Sequence, residues 1–259
     1  IPDIVKEIGE NAFDNCGSLK CVTIPQGVKI ISANTFEKCC LLQNIAIPKG
    51  VKEIGMYAFG ECSSLKNITI PGTVEKIGGC AWVRCISLEK VNLCEGVKKI
   101  DEYAFYKCSS LQNITIPKTA EQVGTYAFAG CHKLEEVCIC EGVKEIDAHA
   151  FWECSSLKSI QIPETVEEIG KCAFAGCKKL EQVCICGEVK KIGTDVFRDC
   201  SNLKEIIIQK SIPNRILGET FEHCPNLVVH CPKGSKTETY CKKKGIKYNL
   251  DNMEVQDEH

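Results

Sequence analysis

Cysteine is the residue type in this chain with the widest chemistry, because thiols form disulfides, bind soft metals and act as nucleophiles. The chain has 21 cysteines among its 259 residues. Ten of them recur every 23 residues, with a last interval of 24: Cys16, Cys39, Cys62, Cys85, Cys108, Cys131, Cys154, Cys177, Cys200 and Cys224. Stacked repeats would place these thiols in a column, about 4.8 Å apart if parallel strands pair. Parallel side chains in register do not converge to the Cβ separation of a disulfide, about 3.8 Å. We therefore predict buried free thiols, and the odd total leaves at least one cysteine unpaired within a monomer.

The surplus cysteines include two Cys-x-Cys pairs, Cys138–Cys140 and Cys184–Cys186. The pairs lie two repeats, or about 10 Å, apart, which is too far for one tetrahedral metal centre. A reactive thiol needs a basic neighbour, whereas Cys138 is flanked by Glu136 and Glu141. We predict no metal and no cofactor, and a thiol-based role for these residues stays open as an alternative.

A second candidate metal site lies near the C-terminus. Its possible ligands are His223, Cys224, His230, Cys231 and Cys241. Zinc sites need two compact ligand pairs, and the repeat register assigns both Cys224 and Cys231 to core positions. We therefore do not predict a zinc site here.

Motifs of the common enzyme classes are missing from the sequence. The segment from Gly234 to Thr237 reads Gly-Ser-Lys-Thr, which lacks the order and the upstream glycine of a phosphate loop. The formal net charge of −2 gives no electrostatic basis for binding nucleic acid or anionic lipid. No apolar stretch approaches the roughly 18 residues of a membrane helix. We predict no catalytic residues, no nucleic-acid partner and no membrane insertion.

An aromatic residue marks the same repeat. Nine aromatics stand 23 positions apart and a tenth follows after 24: Phe13, Phe36, Phe59, Trp82, Phe105, Phe128, Phe151, Phe174, Phe197 and Phe221. A fixed period of this length is typical of stacked coils that bury their apolar sides against each other. At roughly 1.5–3 kcal/mol for each large apolar side chain buried, stacking supplies the stability that one coil lacks.

The coil that begins at Leu157 shows how the first half of a repeat is built. Ile160 and Ile162 alternate with polar residues, which predicts a strand with one buried face. Pro163 cannot donate a backbone hydrogen bond, so it ends the strand.

The second half of this coil combines a short strand with a turn. We predict a strand over 166–169 and a change of direction at Gly170. Apolar residues over 171–180 have helix-like spacing in a segment too short for a long helix, so we predict one or two turns of α or 3₁₀ helix.

A charged position recurs with the repeat and alternates in sign. From the third coil it reads Lys52, Glu75, Lys98, Glu121, Lys144, Glu167 and Lys190. Parallel strands in register would place these side chains side by side, so the alternation predicts a ladder of ion pairs. It also reveals a double period of 46 residues, which recurs in the cysteines that replace the strand-ending proline, Cys94, Cys140 and Cys186.

The regular interval ends after Ile208. Ser235 and Glu238 form a Ser-x-x-Glu capping box for a short helix, and Gly245 is placed to end that helix. We predict three parts: a repeat solenoid over 1–230, a C-terminal cap over 231–250 and a flexible tail over 251–259.

The repeat Leu-x-x-Ile-x-Ile-Pro-x-x-Val-x-x-Ile-Gly-x-x-Ala-Phe-x-x-Cys-x-x-Leu, clear from Leu157 to Leu180, resembles the BspA-like leucine-rich repeats. The resemblance covers about residues 1–230. It implies an α/β leucine-rich-repeat right-handed solenoid of parallel β-strands and short helical turns, with about ten 23-residue coils plus a C-terminal cap. Members of this family are typically secreted or surface proteins of mucosal microbes, with roles in adhesion and in binding host matrix proteins. The family implies no catalytic residues.

Six side chains beside the buried aromatics are candidate binding residues: Tyr57, Tyr103, Tyr106, Tyr126, His149 and Trp152. They recur on successive coils, so we expect them to cluster, and Tyr and Trp often anchor protein interfaces. The alternative is that they only pack on the neighbouring turn and cover the core. The outward strand positions are small, polar and mixed, which fits a solvated sheet or a polar contact face for protein or glycan.

We therefore predict a non-catalytic protein-interaction or adhesion module of a secreted or cell-surface protein. It would act as a monomer and bind a protein, host matrix or glycan ligand through the exterior of a rigid solenoid. Two alternatives stay open: a metal-binding or redox role of the surplus cysteines, and a purely structural spacer. Because Ile1 lies in the middle of a coil, we expect the chain to be a piece of a longer protein.

Overall fold

The computed structural model describes residues 1–210 and 220–251. The chain winds into about nine turns of a parallel-strand solenoid, which confirms the predicted architecture. The strands are β1 (Ile30–Ile31), β2 (Glu53–Ile54), β3 (Asn67–Ile70), β4 (Lys76–Ile77), β5 (Lys90–Leu93), β6 (Lys99–Ile100), β7 (Asn113–Ile116), β8 (Gln122–Val123), β9 (Glu136–Ile139), β10 (Glu145–Ile146), β11 (Ser159–Ile162), β12 (Glu168–Ile169), β13 (Gln182–Ile185), β14 (Lys191–Ile192), β15 (Glu205–Ile208), β16 (Val228–Pro232) and β17 (Lys247–Asp251). One helix, α1 (Lys236–Lys244), lies in the described part of the chain.

The strands form three parallel sheets. One sheet contains the eight two-residue strands, and the longer strands divide into β3-β5-β7-β9 and β11-β13-β15-β16-β17. Pairing within the repeats sets a residue beside its counterpart in the next coil, as Ile160 beside Val183. Exposed and buried side chains alternate along β3 and β11, because successive residues of a strand point to opposite faces. The predicted register is thus the observed one.

The landmark aromatic residues form a continuous stack inside the solenoid. From Phe13 to Phe197, neighbouring ring centroids lie 5.1–5.6 Å apart with interplanar angles of 1–13°. Phe221 continues the stack at 6.1 Å. The rings from Phe36 to Phe197 are fully buried, and stacked aromatic pairs contribute about 0.5–1.5 kcal/mol each beyond the burial of their area. This stack fixes the spacing of the turns that carry the candidate site.

The segments that carry the stacked aromatics are turns, so the predicted helical turns are wrong. In one such segment Ala173 N donates to Gly170 O, three residues back, at 3.3 Å. The next amide, Phe174 N, instead donates to Val196 O of the following coil at 3.0 Å. Cys172 has a left-handed backbone with φ 53°, and a left-handed residue interrupts a right-handed helix. In this turn segment, alternate backbone amides therefore donate to the following coil, and these hydrogen bonds join the coils.

The ten repeat cysteines form the predicted column, and none of the ten is part of a disulfide. The members from Cys39 to Cys200 are buried, which confirms the prediction for them. Cys16 is exposed and Cys224 half-buried, because coils at the ends of the stack are less completely covered than those inside it. Burial raises the pKa of Cys131 and Cys177 to about 12, so these thiols stay protonated.

The alternating charges form separate pairs, not a continuous ladder. Lys98 Nζ lies 2.6 Å from Glu75 Oε2, and Lys190 Nζ lies 2.8 Å from Glu167 Oε2. Each of these lysines contacts the glutamate of the coil before it. Sign alternation therefore predicted the neighbours correctly, and Lys98 pairs with Glu75 and not with Glu121 on its other side.

The C-terminal segment contains the predicted helix with its caps. Glu238 N donates to Ser235 Oγ at 3.2 Å, and Gly245 ends the helix in a left-handed conformation with φ 67°. The Glu238 carboxylate receives the amide of Gly234 at 2.7 Å, one residue before the amide that a standard capping box would use.

The division into solenoid, cap and tail stays a prediction. Strand β16 crosses the predicted boundary at 230, and β17 includes residue 251, the first of the predicted tail. The rest of that tail and the inserted segment over 211–219 lie outside the described residues.

Candidate functional site

The residue two positions before each stacked aromatic forms a surface column, which we call the rung column. Its members are Asn11, Asn34, Tyr57, Cys80, Tyr103, Tyr126, His149, Cys172 and Asp195. All of them have positive φ, between 53° and 59°. A left-handed backbone costs a residue with a Cβ atom roughly 1–2 kcal/mol. The stacked coils compensate that cost, and they hold the rung side chains in the same orientation.

Three consecutive rungs are aromatic and stack on each other. The ring centroids of Tyr103 and Tyr126 lie 4.9 Å apart at an interplanar angle of 7°. Those of Tyr126 and His149 lie 4.4 Å apart at 10°. All three side chains are half-buried, so each stack covers the turns beneath it and still presents ring edges to solvent.

Tyr106 and Trp152 flank this stack from the position just after a buried phenylalanine. Each of their rings lies 6.3 Å from that of Tyr126 at an interplanar angle of 87°. The coil between them carries Ala129 at the same position, and its small side chain leaves space for both rings beside Tyr126. Tyr103, Tyr106, Tyr126, His149 and Trp152 thus form one group, which we call the aromatic cluster.

Tyr57 does not belong to the aromatic cluster, so the expected clustering is confirmed for five residues and wrong for this one. Cys80 occupies the rung between Tyr57 and Tyr103. A hydrogen bond with the Cys80 thiol is the main cause that raises the pKa of Tyr57. The side chain of Cys80 therefore separates Tyr57 from the rings of the aromatic cluster. Whether the six residues bind a ligand stays a prediction.

Two members of the aromatic cluster have pKa values shifted in the direction that favours the neutral side chain. Burial, and next the charge of Lys171, lower the pKa of His149. Burial, and next Tyr126, raise the pKa of Tyr103. Lys107 Nζ lies 5.1 Å from the ring centroid of Tyr106, within the range of a cation–π contact. The surface is thus amphipathic, with Lys107 and Lys171 at its edge.

An open groove of about 630 Å³ begins at Trp152. Glu153, Lys178, Asp199 and His223 are among its lining residues. His223 Nδ1 lies 2.6 Å from Asp199 Oδ1, and this hydrogen bond raises the pKa of the histidine. The groove therefore adds charges of both signs to the edge of the aromatic cluster.

The sequence pattern did not predict this groove. The residue two positions after each stacked aromatic forms a second left-handed column, with φ 56° at Glu153 and 58° at Asp199. Gly130 and Gly176 occupy this column in alternate coils. These glycines are the signal available in the sequence, because a missing side chain between larger neighbours opens a depression.

The exposed face of the sheet β3-β5-β7-β9 is the second candidate surface. Asn67, Thr69, Lys90, Asn113 and Thr115 line a shallow depression of about 460 Å³ there. Its lining contains no aromatic side chain. This face offers hydrogen bonds and lacks the rigid apolar anchors that dominate most interfaces.

The candidate C-terminal metal ligands, which we did not predict to form a zinc site, do not come together as one. Cys231 and Cys241 are buried in the core, while His223 is paired with Asp199 on the surface. Across residues 1–210 and 220–251, no group of three or more His, Cys, Asp or Glu side chains is placed to hold a metal ion. Within the same ranges, no helix has both the length and the apolar character that a membrane crossing requires.

The sequence matches the model of the BspA type leucine rich repeat region, in six copies, over residues 1–112 and 98–228. No match was found among curated proteins.

Two solved structures have a similar fold. A leucine-rich repeat protein from Bacteroides ovatus is 28% identical, with a TM-score of 0.75, and the alignment covers 97% of this chain and 82% of that one. The T. pallidum leucine rich repeat protein is 27% identical, with a TM-score of 0.51, over 70% of this chain and 77% of that one. The repeat motif, the stacked coils and the family match agree: the chain belongs to the BspA-type leucine-rich repeat family.

Proposed function

We propose that this chain is a non-catalytic interaction module of a secreted or cell-surface protein, and that it binds a protein ligand through the aromatic cluster. The observation that carries the proposal is the contact of Tyr126 with rings from both neighbouring coils. Scattered surface aromatics are common, whereas a continuous group of this kind is typical of interaction sites.

The composition of the cluster suits a protein contact. Tyr and Trp combine a large apolar area with a polar atom at the rim, and they are enriched among the residues that dominate binding energy. The outermost rungs of the cluster, Tyr103 and His149, are two coils apart, or about 10 Å. The groove beyond Trp152 extends this surface with polar partners for the rim of an interface.

The solenoid also makes the surface rigid. Each rung is fixed by its backbone conformation, and Tyr126 is also held by contact with the rungs on either side. Side chains that are ordered before binding lose less conformational entropy when a partner docks. Membership of the BspA-type family supports the same reading, since these repeats are typical of surface interaction proteins.

The test measures capture of the purified chain by immobilised extracellular-matrix proteins, with fibronectin and laminin as probes, and by a glycan array. Tyr106→Ala and Trp152→Ala introduce the residue that Ala129 and Ala175 already provide at this position. Tyr126→Asn introduces the residue found at Asn34 of the rung column. We expect each variant to weaken capture of a protein ligand at least tenfold, which corresponds to about 1.4 kcal/mol.

Tyr57→Asn is the matched control, because it changes an aromatic rung outside the cluster. Its capture should equal that of the unchanged chain. Equal capture by all variants would remove the aromatic cluster as the binding surface. Binding only to the glycan array would assign a different ligand class, and no capture by the unchanged chain would favour a structural spacer.

A further inference from the structure

The two Cys-x-Cys pairs have a geometry of their own, separate from the buried cysteine column. In the second pair the Sγ atoms of Cys184 and Cys186 lie 3.7 Å apart. Cys184 is the third residue of β13 and Cys186 follows the strand directly. Residues two apart in a strand share one face, so both thiols point to the same side of the sheet.

Backbone hydrogen bonds hold the second cysteine of each pair. Cys186 N donates to Ile162 O at 3.0 Å, and Cys140 N donates to Ile116 O at 3.1 Å. The proline that most coils carry at this position has no N–H group and cannot form this bond. Replacing proline by cysteine therefore extends the ladder by one bond and fixes the thiol beside its partner.

The first pair has the same construction and is more open to solvent. Cys138 is exposed and Cys140 half-buried, whereas Cys184 is half-buried and Cys186 buried. Burial, and next the interaction with Cys138, raise the pKa of Cys140. Burial and a hydrogen bond with Cys186 raise the pKa of Cys184 to about 11. Cys140 and Cys184 therefore stay protonated near neutral pH.

The sulfur separation distinguishes between possible products. A disulfide needs about 2.05 Å between sulfurs. A linear two-coordinate centre with bonds of about 2.3 Å needs about 4.6 Å, and a bent centre with the same bonds and an angle of about 95–110° at the central atom needs about 3.4–3.8 Å. The observed 3.7 Å matches the bent centre without movement of the strand.

The ligand set further restricts the centre. A zinc ion needs four ligands, and the described residues provide no third His, Cys, Asp or Glu here. Trivalent arsenic bound to one organic group is complete with two sulfurs in a bent arrangement. An organoarsenic oxide condenses with two thiols: two As–S bonds form, the As=O bond breaks, and the oxygen leaves with both thiol protons as water. Arsenic stays trivalent and no oxidant is needed.

We propose that Cys138–Cys140 and Cys184–Cys186 are two independent dithiol sites that bind trivalent arsenicals. This inference stands apart from the proposed interaction function, because it uses a different face of the molecule. The chain also supplies a natural comparison at Cys94. Cys94 occupies the second position of the pair, and Asn92 occupies the first. The Nδ2 atom of Asn92 lies 4.0 Å from the Cys94 sulfur, so this coil has only one thiol.

The test treats the reduced full chain with phenylarsine oxide and counts adducts by native mass spectrometry. We expect two adducts that survive excess 2-mercaptoethanol, because a monothiol does not displace a chelating pair of sulfurs. Dithiothreitol should remove both adducts, because it is itself a dithiol and competes for the arsenic. Cys138→Ser and Cys184→Ser should each remove one adduct, and the double variant both. Cys94→Ala should keep two.

Circular dichroism of each variant checks that the solenoid remains folded, since Cys138 and Cys184 are not core residues. The proposal is overturned if no adduct survives the monothiol, or if the double variant retains both adducts. A loss of two mass units per pair before any arsenical is added, under reducing conditions, would identify the pairs as disulfides and overturn it as well.

Discussion

The thiol of Cys108 donates a hydrogen bond to the carbonyl oxygen of Trp82 in the preceding coil, at 3.1 Å. The same oxygen accepts the amide of Cys85 from its own coil at 3.2 Å. A carbonyl oxygen has two lone pairs, so one is used within the coil and the other between coils. Every member of the column from Cys39 to Cys224 repeats this bond, at 3.1–3.4 Å. The column is cysteine because the position needs a small apolar side chain that also donates.

Replacing Cys108 by alanine should lower the free energy of unfolding by about 2 kcal/mol. The change removes the bond to Trp82 and leaves a cavity in a fully packed interior. Urea unfolding followed by circular dichroism measures the loss.

The matched control is Cys16→Ala, at the same position of the repeat. Cys16 is exposed, so its replacement should change the free energy of unfolding by less than about 0.5 kcal/mol. Equal losses at the two positions would show that the inter-coil bond and burial do not explain the cysteine column.

The fold was predictable to the level of the register, because one period sets every buried position. The aromatic interval places Phe174 beside Phe151 and Phe197, and the rings stack there. The conformation of the turns was not predictable from apolar spacing. A left-handed backbone at Cys172 has no signature in a residue that is not glycine, and this conformation replaces the helical turn by bonds between coils.

The candidate site was predictable in its members and not in its boundaries. Tyr103, Tyr126 and His149 are related by the repeat, so their contact follows from the register. Tyr57 lies outside the aromatic cluster because Cys80 occupies the rung on the adjacent coil. This separation becomes evident only when all members of the rung column are compared. The groove at Trp152 is formed by depressions between coils. Their position depends on the conformation of the turns, which the sequence pattern did not predict.

The double period of 46 residues has a structural basis in the turns after the long strands. Gly96 N donates to Thr119 Oγ1 at 2.8 Å, and the same hydroxyl donates to Val97 O at 2.9 Å. Gly142, Thr165 and Val143 repeat this arrangement two coils later. Gly96 has φ 135°, and a Cβ atom there would collide with the backbone of the previous coil. Alternate coils therefore differ because a glycine in one matches a threonine in the next.

Thr119→Val should lower the free energy of unfolding by about 1–3 kcal/mol. The change keeps the shape of the side chain and leaves the amide of Gly96 and the carbonyl of Val97 without the hydroxyl. Thr119→Ser should retain most of the stability, because the hydroxyl remains. Thermal unfolding of the three proteins compares them.

The control for this prediction is Thr73→Val, at the equivalent position of another coil. The Thr73 hydroxyl is buried and has no hydrogen-bond partner within the described ranges. Its replacement by an apolar group of the same shape should leave stability unchanged or raise it. A loss at Thr73 as large as that at Thr119 would contradict the bridging role of the hydroxyl.

Glu75→Lys should lower the melting temperature at low ionic strength. The substitution breaks the ion pair with Lys98 and sets positive side chains next to each other on consecutive strands, which is unfavourable. Because these groups are exposed, salt should reduce the effect: the screening length falls from about 10 Å at 0.1 M to about 3 Å at 1 M. Glu75→Gln removes the negative charge without adding a positive one, so its melting temperature should fall less and should depend less on salt. A difference between the two variants that does not depend on salt would rule out charge as its cause.

His149 should make the chain less stable in mild acid. Burial and Lys171 lower the pKa of His149 in the folded state, below the value of about 6.5 in an unfolded chain. The unfolded state therefore binds the proton first, and stability falls as the pH drops below about 6.5 toward the folded pKa. His149→Tyr introduces the residue of the neighbouring rung, Tyr126, and should reduce the loss of melting temperature between pH 7 and pH 5. The hydrogen bond with lysine lowers the pKa of Glu75, Glu135 and Glu167, so these glutamates stay ionised over this range. The comparison of the two proteins therefore isolates the histidine. Identical acid profiles would show that His149 does not contribute to acid sensitivity.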